Sequence, residues 1–486
     1  MTAMMLLKKA AKKRRARFLH PRKSRVSHLR ASASARGSVL IVVLIICLGL
    51  VSLTLVFGHA MLMAYRGTDN DIAGREANQA IEGAARYAQY IIMSGTLGVM
   101  PDRTTYQNEA VPVGDAQFWF IGRPGDNDPI DKPIFGLIDE ASKLNINSAT
   151  IDMLEALPGM TTDLAAAILD WRDADETPNP NGGAESETYM LSQPPYRAKD
   201  APFESTEELA LVNGADMPTL YGQDTNFNGI LDPSESGTNG ASSASPASAP
   251  VASGTNGNVG NSYSGVLEYL TAFSREPNTR SDGSKRVNVS TGATQNQRLT
   301  ALLSGTFGAA RAAQIARALG TSRPKSTLEF FIRSHMTEDE FNQIADDVTV
   351  SSASYIVGLV NVNTASPTVL ACIPGIGVDS AASLVAARAA LASPPTSVAW
   401  VASVLKPAAA FQAGPYLTVK SYQFTADAAA VGHNGRGYRR TLFIIDNTGA
   451  LPRIVYRRNM AQLGWALGDD VRQALATQNQ LGQTGH

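Results

Sequence analysis

The chain has 486 residues, 44% of them hydrophobic and 17% charged, a globular composition with room for two to four domains. Its formal net charge of −1 hides an asymmetry: residues 1–36 hold 12 Lys and Arg and no acid, which leaves 30 basic against 43 acidic residues from Gly37 onward, about −13. An acidic body argues against a surface that tracks phosphates, and the two cysteines, Cys47 and Cys372, cannot staple a fold.

The first element follows the basic leader. Ser38 to Tyr65, SVLIVVLIICLGLVSLTLVFGHAMLMAY, is a run of 28 residues without Asp, Glu, Lys or Arg. About 20 suffice to cross a bilayer as a helix. The cations before it mark the cytoplasmic side, so the acidic body is expected to cross. The run is longer than the roughly 7–15 apolar residues of a secretory signal. The leader ends in Ala-Arg-Gly, with Gly37 placed before the apolar run. That arrangement resembles the processing site of type IV prepilins and type II secretion pseudopilins. The resemblance implies cleavage between Gly37 and Ser38 by an inner-membrane prepilin peptidase, then methylation of the new N-terminus. An uncut signal anchor is the alternative. Those families usually carry Glu five residues after the cut; here the position is Val42, a departure shared with the K-type minor pseudopilins.

Beyond Tyr65 the helix is expected to continue. Ile72, Ala77, Ala80, Ile81, Ala84, Ala85, Ala88, Ile91 and Ile92 recur at near-helical spacing, and Gly95 and Pro101 end the pattern. Residues 116–122 (AQFWFIG) and 133–139 (PIFGLID) read as short strands.

Residues 143–172, KLNINSATIDMLEALPGMTTDLAAAILDWR, form a helix–hairpin–helix pattern. Asn147 or Ser148 can cap the first helix, Pro158-Gly159 makes the turn, and Thr161 or Thr162 can cap the second helix. The pattern recurs at 360–388 with its turn at Pro374-Gly375 and Gly377, and in weaker form at 287–318, where the Pro-Gly is missing. STEE at 205–208, STLE at 326–329 and TEDE at 337–340 are capping-box patterns that open further helices. Such hairpins often bind DNA, and NxN[TS]A followed by LPGIG resembles the secreted competence DNA receptors. Yet LPGMTTD and IPGIGVDS carry no Lys or Arg, so a packing or protein-binding use fits better, with a membrane-anchored DNA receptor as the alternative function.

The order of motifs resembles one family closely. LIDEASKLNINSATIDMLEALPGM leads into AILDWRDADETPNPNGGAE, then YRAKDAPFESTEELALVNG, then DTNFNGILDPSE. This order is similar to that of the K-type minor pseudopilins of type II secretion systems (general secretion pathway protein K). The resemblance implies an α+β, pilin-like fold: a long N-terminal transmembrane helix plus an antiparallel sheet, with a large inserted α-helical domain that contains helix-hairpin-helix-like repeats. The expected organisation is a leader at 1–37, a span at 38–65 and a stalk helix with first strands at 66–140. The inserted domain follows at 141–235 and resumes at 263–410. A Ser/Gly-rich linker at 236–262 divides it, C-terminal strands occupy 411–465, and 466–486 is a polar tail. The resemblance also implies a place at the tip of a short periplasmic pseudopilus. The implied partners are the I- and J-type minor pseudopilins, the major pseudopilin, the prepilin peptidase and the inner-membrane assembly platform.

Asp224 to Glu235 fits an EF-hand-type calcium loop at every ligand position: Asp224, Asn226, Asn228, the Ile230 carbonyl, Asp232 and Glu235, with Gly229 at the turn. No long helix leaves the loop, so calcium is expected as a structural clip fastening an irregular loop to the helical domain. The family resemblance implies two calcium ions, and Asp173, Asp175 and Glu185 are the candidates for the second. No His pattern, G-x-S-x-G or phosphate loop points to catalysis.

Overall fold

The structure is a computed structural model that describes residues 36–484 apart from 127, 130, 131, 234, 236–263, 281 and 292–295. The leader up to residue 35 and the 236–262 linker expected above lie outside the described residues. At the Gly37–Ser38 bond only the helical backbone is described.

Helix α1 runs from Arg36 to Ser94, so the stalk does continue out of the apolar run. The chain divides into two units after Arg66. In the first, the large apolar side chains from Val39 to Tyr65 stand exposed along a helix long and apolar enough to cross a membrane. In the second, the face of α1 formed by Ala77, Ala80, Ile81, Ala84, Ala88 and Ile92 is buried. The small alanines let a sheet approach closely, and Phe118, Phe120, Phe424 and Phe443 fill the space. Each such ring contributes about 1.5–3 kcal/mol on burial. Ile72 is 46% exposed and lies off that face.

The sheet begins with β1 (Val111–Val113), β2 (Ala116–Ile121) and β3 (Ile138–Asp139). The strand expected at 133–139 forms only over its last residues. Phe135 bridges Ile121 of β2, and the chain then changes partner. The insertion follows, in three copies of one plan.

The first copy comprises β4 (Leu144–Asn145), α2 (Ile151–Glu155), α3 (Thr162–Arg172), α4 (Ser186–Tyr189), a 3₁₀ turn at Thr206–Leu211, α5 (Met217–Tyr221) and β5 (Leu270–Thr271). After β6 (Arg275–Pro277) the second copy comprises β7 (Val287–Asn288), α6 (Gln297–Leu319), α7 (Thr327–Ser334), α8 (Glu338–Ile344) and β8 (Val348–Thr349). After β9 (Tyr355–Val357), which pairs with β6, the third comprises β10 (Val360–Asn361), α9 (Pro367–Ala371), α10 (Gly377–Ala389), a 3₁₀ turn at Val398–Ser403, α11 (Pro407–Ala413) and β11 (Leu417–Thr418).

Each copy closes on itself through a two-residue parallel pair, β4 with β5, β7 with β8 and β10 with β11. In each, the first Asn of the motif folds its side-chain oxygen back onto the amide two residues on, at 2.9 Å for Asn145, Asn288 and Asn361. The second Asn of the outer copies reaches across the copy: Asn147 donates to the Phe203 carbonyl and Asn363 to the Pro395 carbonyl, both at 2.9 Å. Asn147 is therefore not free to cap α2, and Thr150 does so instead, with a neighbouring Ser148 turned to the Asn145 carbonyl. Thr161 caps α3, and the expected capping boxes form at Ser205/Glu208 and Thr337/Glu340, while Ser326 caps α7. The second copy has a hairpin after all: Gly308, at φ +81°, breaks α6 in two. The left-handed conformation costs glycine no steric clash, so the turn forms without the Pro-Gly.

Strands β12 (Gln423–Val431), β13 (Arg439–Asp446) and β14 (Arg453–Asn459) then complete an antiparallel sheet in the order β1-β2-β12-β13-β14. β3 also pairs with β12, through Ile138 with Thr425 and Asp139 with Phe424. The insertion thus leaves and returns at adjacent points on the sheet. The C-terminal tail, expected to be polar, is helical over most of its length. It forms helix α12 (Gly468–Thr484), because Asp469 and Asp470 suit the first turn. Val471 and Leu475, one turn apart, pack against a small cluster containing Trp119 and Val431.

Candidate metal centres

The Asp224–Glu235 loop is shaped by its own carboxylates. Asp224 accepts from the amides of Asn228 at 3.1 Å and Gly229 at 2.8 Å. Gly229, at φ +87°, allows the reversal. Asn226 and Asn228 both direct their amide groups at one oxygen of Asp232, at 2.5 and 3.0 Å. Glu235 closes the loop, accepting from the amides of Asn226 at 2.9 Å and Asp232 at 3.1 Å. The Ile230 amide donates to the Asn228 side chain at 3.0 Å, and Ile230 is buried. The structure therefore gathers every residue of the sequence motif into one loop. Burial pushes the Asp224 carboxyl up to about 6, against the pull of the nearby Arg123 guanidinium.

The loop's anchor is the sheet. Arg440, fully buried on β13, holds the Asp427 carboxylate of β12 with two contacts at 2.9 and 2.6 Å. The same guanidinium donates to the carbonyls of Asn226 and Phe227, the latter at 2.8 Å. Asn228 adds a bond to the Ala466 carbonyl at 3.3 Å. Nothing in the sequence pairs Arg440 with the loop, since 213 residues separate it from Phe227.

The second acidic cluster lies between α3 and α4. Ligand oxygens of Asp173, Asp175 and Glu185 lie within 4.8 Å of one another, the group of this kind found among the described residues. Asp173 and Asp175 are exposed and Glu185 is buried, with neither carboxylate oxygen hydrogen-bonded. Burial, then the charges of Asp170, Asp173 and Asp200, push the Glu185 carboxyl up to about 7. Two members of this neighbourhood escaped the sequence reading. Asp170 sits inside α3, and its oxygen accepts from the Asn179 amide at 3.0 Å as the loop wraps back. Asp200, with φ +51°, has one buried oxygen without a partner.

Both clusters fit a hard cation that takes oxygen ligands. Each contains buried oxygen acceptors with no donor: Glu185 in one, and the Asn226 side-chain oxygen in the other. Such orphaned acceptors are costly unless something satisfies them. A bound calcium would draw on Asp224, Asn226, Asn228, Ile230, Asp232 and Glu235 in the loop, and on Asp173, Asp175 and Glu185 in the cluster.

A long helix packed on an antiparallel sheet, interrupted between β3 and β12 by a helical insertion, defines a pilin-like α+β fold. Within that insertion, residues 142–221 and 360–419 each match the family of type II secretion system (T2SS) protein K. The likeness to the K-type minor pseudopilins is shown by these two segments, which fall on the first and third copies. Among solved structures, the GspK-GspI-GspJ complex from the type 2 secretion system of enterotoxigenic Escherichia coli is similar over 82% of this chain and 99% of that chain, at 13% identity and a TM-score of 0.37. No curated protein matches the chain.

Proposed function

We propose that this protein is a minor pseudopilin stationed at the tip of the periplasmic pseudopilus of a type II secretion system, where it helps to initiate assembly and protein export. The observation that carries the reading is the pair of protein K segments set into a pilin-like sheet behind an apolar helix. The leader is removed at Gly37–Ser38, and the apolar helix then bundles with those of the I- and J-type minor pseudopilins. In the family, the Glu five residues past the cut is thought to pair with the N-terminal ammonium of a subunit already in the filament. Val42 suits a subunit that has no neighbour above it. An insertion of this size suits the end of a filament rather than its interior. Two calcium ions brace the head, filled at the millimolar calcium available outside the cytoplasm.

The test is co-expression of the full chain with the I- and J-type minor pseudopilins of its own system, followed by detergent extraction and affinity purification. A stable complex of the three is expected. Recovery of this chain alone would sink the tip assignment.

A further inference from the structure

We propose that His433 is a proton-operated latch that fastens the β12–β13 turn to the stalk helix. The turn, residues 432–437, lies against α1 at Ala73–Gly74. A Cβ at Gly432 would meet the Ala73 carbonyl oxygen at 2.2 Å, and one at Gly437 would meet the Ala73 backbone at 2.4 Å. The contact is backbone on backbone, and what aligns it is polar. The His433 ring stands between two carboxylates seven residues apart on one face of α1. Nδ1 is 2.7 Å from Glu76 and Nε2 is 2.9 Å from Asp69. The His433 amide also donates to Glu76 at 2.9 Å, and Arg436 of the same turn pairs with Asp69.

Only an imidazolium can donate from both nitrogens. The neutral ring keeps one N–H, so on losing its proton it sets a lone pair against one of the two carboxylates. The hydrogen bonds that the ring donates to Asp69 and Glu76 accordingly raise the His433 pKa above its ordinary value. The other elements packed on the turn do not compete. From α12, Leu475 meets Gly435, while Arg472 lies over Trp465 and Asp470 pairs with Lys132. From β13, Arg439 approaches Gly74 and adds a cation that does not titrate.

The sign follows. A histidine whose folded pKa is raised stabilises the docked turn fully below about 6.5, its unperturbed value, and the stabilisation fades as pH rises through the folded value. The Arg436–Asp69 pair persists, so the turn loosens rather than departs. Asp69 is the fourth residue after Tyr65, which places the latch at the end of the stalk nearest the apolar run. The protein therefore senses whether its surroundings are mildly acidic or alkaline where the sheet grips the stalk.

The experiment is hydrogen exchange of the full-length chain in detergent micelles between pH 6.0 and 8.5, corrected for intrinsic exchange, with histidine NMR on the same sample. Peptides covering 428–440 are expected to lose protection as pH rises, about tenfold for each unit by which the docked ring's pKa exceeds that of the open turn. The histidine signal missing in H433Q is expected to titrate above the ordinary range, and H433Q itself to show low protection at every pH. Should H433Q misfold, E76Q retains the ring and is expected to lower its midpoint. An ordinary His433 midpoint, protection independent of pH, a midpoint unmoved by E76Q, or an equal loss across residues 297–319 would each overturn the proposal.

Discussion

The first and third copies of the repeat share a frame and differ in what is hung on it. Arg172 at the end of α3 donates to the carbonyls of Ile146 and Ala149, the latter at 2.7 Å. Arg388 on α10 does the same for Val362 and Ala365, at 2.9 and 2.6 Å. The first copy, however, has 32 residues between Arg172 and Ser205, where the third has 8 between Arg388 and Ser397. It has 48 between Tyr221 and Leu270, where the third has 3 between Ala413 and Leu417. Asp173, Asp175 and Glu185 lie in the first of these expansions, and the Asp224–Glu235 loop lies in the second. The frame is repeated, and the candidate ligands Asp173, Asp175, Glu185 and the Asp224–Glu235 loop all lie in added chain.

Chelation should break the likeness most. A site filled at a hundredfold above its Kd contributes about 2.7 kcal/mol. Emptying two would then lower the melting temperature by roughly 10–20 °C, at about 2–4 °C per kcal/mol for a large domain. Calorimetry with and without chelator reads this. Hydrogen exchange should place the loss at residues 173–185 and 224–235 and leave 361–389 protected; equal loosening of both copies would end the distinction.

Substituting the shared arginines should weaken both copies. Arg172→Ala and Arg388→Ala each strand two carbonyls, at about 1–3 kcal/mol. Arg388 also pairs with Asp126, at 2.7 and 2.6 Å, so Arg388→Ala should lose more, and Asp126→Ala measures that excess. Denaturant unfolding should give similar losses for the two arginine variants once the excess is subtracted, and a large remaining difference would show that the frame is not equivalent.

The second copy sharpens the contrast at a smaller scale. There Arg311 of α6 grips Glu340, the N3 residue of the α8 capping box, at 2.8 and 2.7 Å. The hydrogen bonds from Arg311 hold the Glu340 carboxyl at about 2. A depressed carboxylate stabilises above its unfolded value, about 4.3, and that contribution disappears as pH falls from there toward 2. Glu340→Gln should cost about 1 kcal/mol at neutral pH and less at pH 2. Acid titration of both proteins by circular dichroism would show it.

Much of this was legible along the chain. The alanine stripe of α1, the capping boxes and the NxN motif are local patterns, and local patterns survive as sequence signals. The second hairpin was hidden because Gly308 turns without a proline to announce it. Thr150 displaced Asn147 as the cap because Asn147 has a partner at Phe203, visible only in three dimensions. Asp170 and Asp200 join the acidic cluster by chain reversal, and Arg440 reaches the loop from across the molecule. In α12, Val471 and Leu475 give too few apolar residues to stand out in a polar tail, until the neighbouring turn supplies the surface they cover.

Arg440 also has a mechanical meaning. A push delivered along α1 reaches the sheet through the face from Ala77 to Ile92. From β12 and β13 it passes through the buried Arg440–Asp427 pair into the backbone of the Asp224–Glu235 loop. That loop is a joint between the helix-backed sheet and the insertion, and whatever stiffens it sets how rigidly the two would move together under load.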